Sequence, residues 1–155
     1  MNDIDIMNLW LFKEEPLHYA FEDLVKDKKT QWDGVKNNLA QKNLGQVRKG
    51  DEVFFYHTGK EKAIIGTMKV VTSAYKDKND MFVVDVKPIR RLKRSIELKE
   101  IKALKKFREF DLVRLPRLSI MPVSKNYWKT IITVSYTHLR AHETRHDLVC
   151  RLLLE

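Results

Sequence analysis

The residues best suited to chemistry form an HETRH sequence near the end of the chain. His142, Glu143 and His146 match the H-E-x-x-H pattern, in which two histidines one helical turn apart bind zinc and the glutamate acts as general base. Taken alone, the pattern predicts a metalloprotease. The alternative is that the surrounding residues do not belong to the natural protein.

Residues 134–155 resemble a translated sequencing adapter of the transposase type. The adapter DNA encodes VSYTHLRAHET, and its next fixed segment, read after a short index, encodes LVCRLLL. In this interpretation the index alone encodes Arg145 and His146. We therefore predict that 134–155 is a non-native tail, that the chain has no metal site, and that the domain occupies residues 1–133. Because the adapter interrupts an amphipathic run, we expect the natural chain to continue beyond Thr133.

A second set of candidate residues is aromatic and polar and lies near predicted turns. The set includes Trp10, Lys13, Glu14, Glu15, Trp32, Gly34, Asn37, Tyr56 and His57. Recognition of an unpaired base needs a π-face for stacking and amide or backbone groups that read its hydrogen-bonding edge. Structural roles compete with this interpretation. Trp10 lies in an apolar strand typical of a core, and His57 could simply be the polar residue that ends a strand.

Composition narrows the function classes. A chain of 155 residues with 43% hydrophobic and 33% charged residues is typical of one folded domain. Its apolar runs are shorter than the roughly 18 residues that span a bilayer, and the N-terminus lacks a secretory signal pattern. The net charge of +9 indicates an anionic partner, nucleic acid first. Since the tail holds three basic and three acidic residues, the rest of the chain keeps the whole surplus.

Elements that position these residues can be predicted from periodicity and from turn signals. Strands are predicted over residues 7–12, 52–58, 63–75, 81–92 and 119–123, and helices over 21–26, 37–47 and 98–104, with Ser124 capping a final helix. The regular alternation of strands and helices that a parallel sheet needs is absent. The pattern therefore favours an α+β or small-barrel architecture with a meander of antiparallel strands.

The sequence resembles the EVE domain family, a branch of the PUA-like superfamily. The resemblance is carried by WLFKEEP (10–16), WDGVKNNLAQKNL (32–44), KGDEVFFYHT (49–58) and RLSIMPVSKNYWKTI (117–131). It implies a pseudo-barrel of mostly antiparallel strands flanked by short helices, with a cavity similar to that of YTH domains. It also implies a non-enzymatic module, without cofactor, that reads a modified cytosine or adenine in DNA or RNA. Family members begin at the first strand, which makes Met7 a candidate start.

The resemblance also implies roles for individual residues. Trp32 would be a stacking wall, Asn37 an edge-reading amide, and Gly34 a point of close backbone approach beside Val35. The remaining pocket residues would be Trp10, Lys13, Glu14, Glu15, Tyr56 and His57, and the phosphate contacts Lys36 and Arg117. The family commonly has Ser where Glu14 stands and Arg where Lys36 stands, and a lysine does not reproduce a bidentate arginine clamp.

Two alternatives stay open at this point. One is a general RNA-binding PUA-like module without modification readout, and the other is the zinc hydrolase suggested by HETRH. We expect no membrane association and a monomer, located in the cytoplasm of a prokaryote or in the nucleus of a eukaryote.

Overall fold

Six strands form one curled sheet in the computed structural model, which describes residues 8–144 and the side chains of residues 8–136. The strands are β1 (Leu9–Glu14), β2 (Thr30–Trp32), β3 (Glu52–His57), β4 (Ala63–Lys76), β5 (Phe82–Glu97) and β6 (Ile120–Pro122). Their order across the sheet is β2-β5-β4-β3-β1-β6, and the β1–β3 pair is parallel whereas the other pairs are antiparallel. The sheet curls into a half-barrel, which confirms the predicted α+β class.

Among the described residues, four short helices and a final helix of 20 residues flank the sheet. They are α1 (Phe21–Asp27), α2 (Asn38–Leu44), α3 (Leu98–Lys102), α4 (Asp111–Arg114) and α5 (Lys125–Thr144), with a 3₁₀ turn over Lys105–Phe107. Ser124 caps α5 as predicted, since its Oγ accepts a hydrogen bond of 3.1 Å from the Tyr127 N–H. The sequence did not predict β2 or α4; β2 exists through its pairing with the distant strand β5, which no local pattern signals.

The curvature comes from irregular pairing along the two longest strands. The register of β4 against β5 shifts at several points, and β3 shifts against β4 between Phe55 and Tyr56. Each such bulge bends its strand and increases the local twist. Consequently one sheet wraps around a single apolar core, which Phe12, Phe54 and Phe55 fill without solvent exposure.

Trp10 and Trp128 illustrate how this core is closed. Trp10 is 4% exposed, and its Nε1 donates a hydrogen bond of 2.9 Å to the buried Asp51 carboxylate. The ring of Trp128 from α5 stacks on Phe54 with centroids 3.8 Å apart. The structural role for Trp10, one of the two readings of the sequence, is therefore confirmed.

The final helix runs across the boundary at Thr133. Residues 145–155 lie outside the described part of the chain, as do the side chains of 137–144, so the HETRH motif falls outside the described side chains. The non-native origin of 134–155 stays a prediction. Within the side chains that are described, no group of three or more His, Cys, Asp or Glu is placed to hold a metal. None of the described helices combines the length and the apolar character needed to cross a membrane.

Candidate functional site

A cavity of about 340 Å³ opens where the end of β1 meets the segment after β2 and the loop before β6. Its lining consists of Lys13, Glu14, Glu15, Trp32, Asp33, Gly34, Val35, Lys36, Thr58, Pro116, Arg117 and Ser119. Most of the residues predicted from sequence therefore lie around one space, although they come from distant parts of the chain.

Trp32 forms a rigid wall of this cavity. It ends β2, where it pairs with Val84 of β5. The indole lies between Phe12 and Phe55, with both ring centroids 5.3 Å from its own and tilts of 48° and 84°. The side chain is 4% exposed, so it belongs to the core and lines the cavity at once. Because the core fixes its rotamer, stacking on this ring would cost little side-chain entropy.

The backbone after Trp32 is held in a defined path. Gly34 has φ 76°, in the left-handed region that L side chains rarely adopt, and a Cβ there would meet nothing within 4 Å. The Gln41 side chain donates a hydrogen bond of 2.9 Å to the carbonyl oxygen of Val35. Asn37 caps α2, since its Oδ1 accepts a hydrogen bond of 3.0 Å from the Ala40 N–H. These hydrogen bonds restrict the movement of the loop. The space beside Gly34 is open.

Lys13 connects two walls of the cavity. Its Nζ donates a hydrogen bond of 2.9 Å to the Pro116 carbonyl oxygen. Its backbone N–H donates another of 2.9 Å to the Ser119 carbonyl oxygen. The ammonium also lies 5.5 Å from the centroid of the Tyr56 ring. Burial lowers the pKa of Lys13, because the charged form loses hydration. The segment carrying Arg117 is thus fixed to the end of β1.

Two glutamates at the end of β1 have different partners. Glu14 Oε2 lies 2.5 Å from His18 Nδ1, and this hydrogen bond is the main reason that the pKa of His18 is raised. Both carboxylate oxygens of Glu15 accept long hydrogen bonds of 3.4 Å, from the Thr58 hydroxyl and from the Leu17 N–H. Glu15 is therefore held by the loop around it, whereas Glu14 has a single partner at one oxygen.

Charge in the lining is balanced. Lys13, Lys36 and Arg117 are opposed by three carboxylates, those of Glu14, Glu15 and Asp33. The surplus of +9 therefore belongs to the rest of the chain. Lys36 and Arg117 are both exposed, which places their charges at the rim.

Four residues of the predicted set do not line the cavity. Trp10 is held in the core by Asp51, and the Asn37 amide oxygen is occupied as a helix cap. Tyr56 is 3% exposed, and burial raises the pKa of its hydroxyl to about 12. His57 is 4% exposed.

The contacts of His57 indicate a structural role. Its Nε2 accepts a hydrogen bond of 3.0 Å from the Phe21 N–H, so its proton is on Nδ1, which lies 2.7 Å from Glu61 Oε1. The ring thereby joins the start of α1 to the loop after β3.

Sequence reasoning left four lining residues out of the predicted set: Asp33, Thr58, Pro116 and Ser119. Thr58 enters because β1 and β3 run parallel, which aligns Glu14 with His57, and the Thr58 N–H donates a hydrogen bond of 3.0 Å to the Glu14 carbonyl oxygen. Asp33 directly follows Trp32, and this adjacency to a predicted pocket residue could have identified it from the sequence. Nothing local marks Pro116 or Ser119.

Comparison with known proteins extends over nearly all of the described residues. The model of the EVE domain matches residues 8–134. Thymocyte nuclear protein 1 of Rattus norvegicus is 31% identical, in an alignment covering 84% of this chain and 74% of that protein.

Solved structures are similar over the same region. A hypothetical protein from Leishmania major has a TM-score of 0.81 and 31% identity, over 86% of this chain and 98% of that one. The crystal structure of human THYN1 in complex with DNA containing 5-methylcytosine has a TM-score of 0.73 and 29% identity, over 83% of this chain and 98% of that one.

Proposed function

The chain belongs to the EVE domain family, and from this premise we propose that it is a non-enzymatic module that accepts a flipped, modified cytosine in the cavity beside Trp32. The observation that carries the proposal is that Trp32, held by Phe12 and Phe55, lines the same cavity as Gly34. The DNA bound by human THYN1 contains 5-methylcytosine, which supports modified cytosine before modified adenine and DNA before RNA. We propose further that the module acts as a monomer and, in a eukaryote, in the nucleus.

The dimensions and chemistry of the cavity fit such a ligand. A volume of about 340 Å³ lies at the small end of ligand pockets, which suits one base better than a larger ligand. Flipping a base out of a duplex costs a few kcal/mol, and stacking on an aromatic ring returns about 1–3 kcal/mol. The rim cations Lys36 and Arg117 would contact the phosphates that flank the flipped nucleotide.

The test is a titration of matched oligonucleotides that differ in one 5-methyl group. Trp32 packs on Phe12 and Phe55, so alanine would also remove about 3–5 kcal/mol of core packing. Trp32→Leu retains part of the apolar volume and removes the stacking face. We expect this variant to lose the preference for 5-methylcytosine over cytosine, with a thermal melt establishing that it is folded. Equal discrimination by the folded variant and the wild type would reject the pocket.

A second candidate function is general RNA binding without modification readout. The balanced lining favours it, because the excess positive charge lies elsewhere on the chain and would bind any phosphate backbone. Matched DNA and RNA oligonucleotides, with and without methylated cytosine or adenine, separate the two. The second candidate would be supported if methylation left the affinity unchanged within each matched pair and if RNA bound more tightly than DNA.

A further inference from the structure

We propose that Glu14 selects cytosine over thymine and uracil in this cavity, by accepting a hydrogen bond from the exocyclic N4 amino group of the base. The inference rests on the proposed function, because it assumes a flipped pyrimidine beside Trp32. Cytosine presents an amino donor at position 4, whereas thymine and uracil present a carbonyl acceptor there. An ionised carboxylate only accepts hydrogen bonds, so it attracts the first group and repels the second.

Glu14 is the best placed of the three carboxylates in the lining. Both oxygens of Glu15 are engaged by Thr58 and Leu17. Asp33 is exposed in the loop after β2. The side chain of Glu14 is 21% exposed and stands on the last residue of β1, where the sheet fixes its backbone.

His18 orients the Glu14 carboxylate. One oxygen, Oε2, lies 2.5 Å from His18 Nδ1, and the other has no hydrogen bond to any residue of the described chain. His18 is itself 77% exposed and is not part of the cavity lining. Its contact thus restrains the carboxylate from outside and leaves Oε1 for a ligand. A group held in advance pays less ordering entropy when the base binds.

Repulsion adds to the selection. Discrimination between two ligands is a difference of affinities, and an unpaired charge facing an acceptor counts against the wrong ligand. Glu14 lies in the same lining as Trp32, so a thymine stacked on that ring would bring its O4 into a cavity that holds a carboxylate. Thymine carries the same 5-methyl group as 5-methylcytosine. A pocket that recognised the methyl group alone would accept both bases.

The experiment compares single-stranded DNA oligonucleotides with 5-methylcytosine, cytosine, thymine or uracil at one position. For the unsubstituted 155-residue chain we expect a preference for 5-methylcytosine over thymine on the order of 10- to 100-fold. A glutamine amide both donates and accepts, so Glu14→Gln should reduce that preference to below about threefold. Preference for 5-methylcytosine over cytosine should survive. The matched control is Glu109→Gln, which removes the same charge from an exposed position outside the cavity lining.

A second measurement does not depend on any variant. N4,N4-dimethylcytosine lacks both amino protons, so the wild type should bind it much more weakly than cytosine. If wild type binds it as well as cytosine, or if Glu14→Gln keeps the full preference for 5-methylcytosine over thymine, the role of Glu14 is rejected while the proposed function stands. If the wild type shows no preference for 5-methylcytosine over cytosine, the proposed function itself fails.

Discussion

The Nζ of Lys13 donates a hydrogen bond of 2.9 Å to the carbonyl oxygen of Pro116, which joins the end of β1 to the loop before β6. These two residues are 103 positions apart in the chain. The contact holds the loop that carries Arg117 against the end of β1, and both segments line the cavity.

Replacing Lys13 by Met should loosen this loop. We expect a loss of about 1 kcal/mol in the free energy of unfolding, the usual net contribution of one hydrogen bond, measured by urea denaturation. Affinity for oligonucleotides should fall as well. Lys36→Met is the matched control, since Lys36 is an exposed rim cation and should weaken binding without changing stability. Equal stability of the two variants would contradict a structural role for Lys13.

Arg117 should contribute to affinity through charge alone. If it contacts a phosphate, Arg117→Met should weaken binding to all oligonucleotides by a similar factor and lower the slope of log affinity against log salt by about 1. Fluorescence anisotropy over a salt series measures this slope. Lys78→Met, in the exposed turn between β4 and β5, should leave the slope unchanged. A change in base preference with Arg117→Met would instead place this side chain against the base.

His18 should titrate above its ordinary range. The Glu14 carboxylate raises the pKa of His18 above 6.5, so the folded protein stabilises the protonated ring. The stabilisation is fully present below pH 6.5 and is lost as the pH rises through the folded-state pKa. NMR titration of the His18 ring protons measures this pKa. In Glu14→Gln the pKa should fall towards 6.5, and an unchanged pKa in that variant would contradict the Glu14–His18 contact.

Two glycines should respond differently to alanine. Gly34→Ala should cost about 1–2 kcal/mol of unfolding free energy through its positive φ alone, because a Cβ there meets no neighbour. Gly59 has a similar φ of 77°, but a Cβ would stand 2.8 Å from Glu15 Oε1. Gly59→Ala should therefore cost more and displace Glu15. Urea denaturation compares the two, and equal costs would show that Glu15 moves aside freely.

Zinc should be absent from the purified chain. If 134–155 is an adapter-derived tail, the HETRH motif has no evolved partner ligands, and we predict less than stoichiometric zinc by elemental analysis. The comparison is a protein that ends at Thr133. Stoichiometric zinc in the full chain that disappears on truncation would support the zinc motif and contradict the tail interpretation.

Sequence reasoning predicted β3 and β4 to within one residue because their signals are local, whereas β5 runs five residues past its predicted end and α2 is shorter than predicted. The strands of β3 and β4 each combine several apolar residues with turn signals on both sides, and Ser124 is a cap that acts within one helical turn. Asn37 was also identified, but for a base-reading role, whereas its oxygen caps α2. Because an asparagine side chain suits both a helix cap and a base-reading amide, the residue type alone does not reveal which hydrogen-bond partner it has.

The sequence by itself determined the family, the main strands and helices, the charge, and the candidacy of Trp32 and its neighbours, since these depend on residue types and short spacings. Only the tertiary structure decided which candidates meet. Parallel pairing of β1 and β3 sets Thr58 beside Glu14, and the Lys13 contact brings in Pro116. Trp32 proved to be both core and cavity wall. These relationships join residues far apart in the chain, and the physical reason is that strand pairing and packing act through space, where local periodicity carries no information.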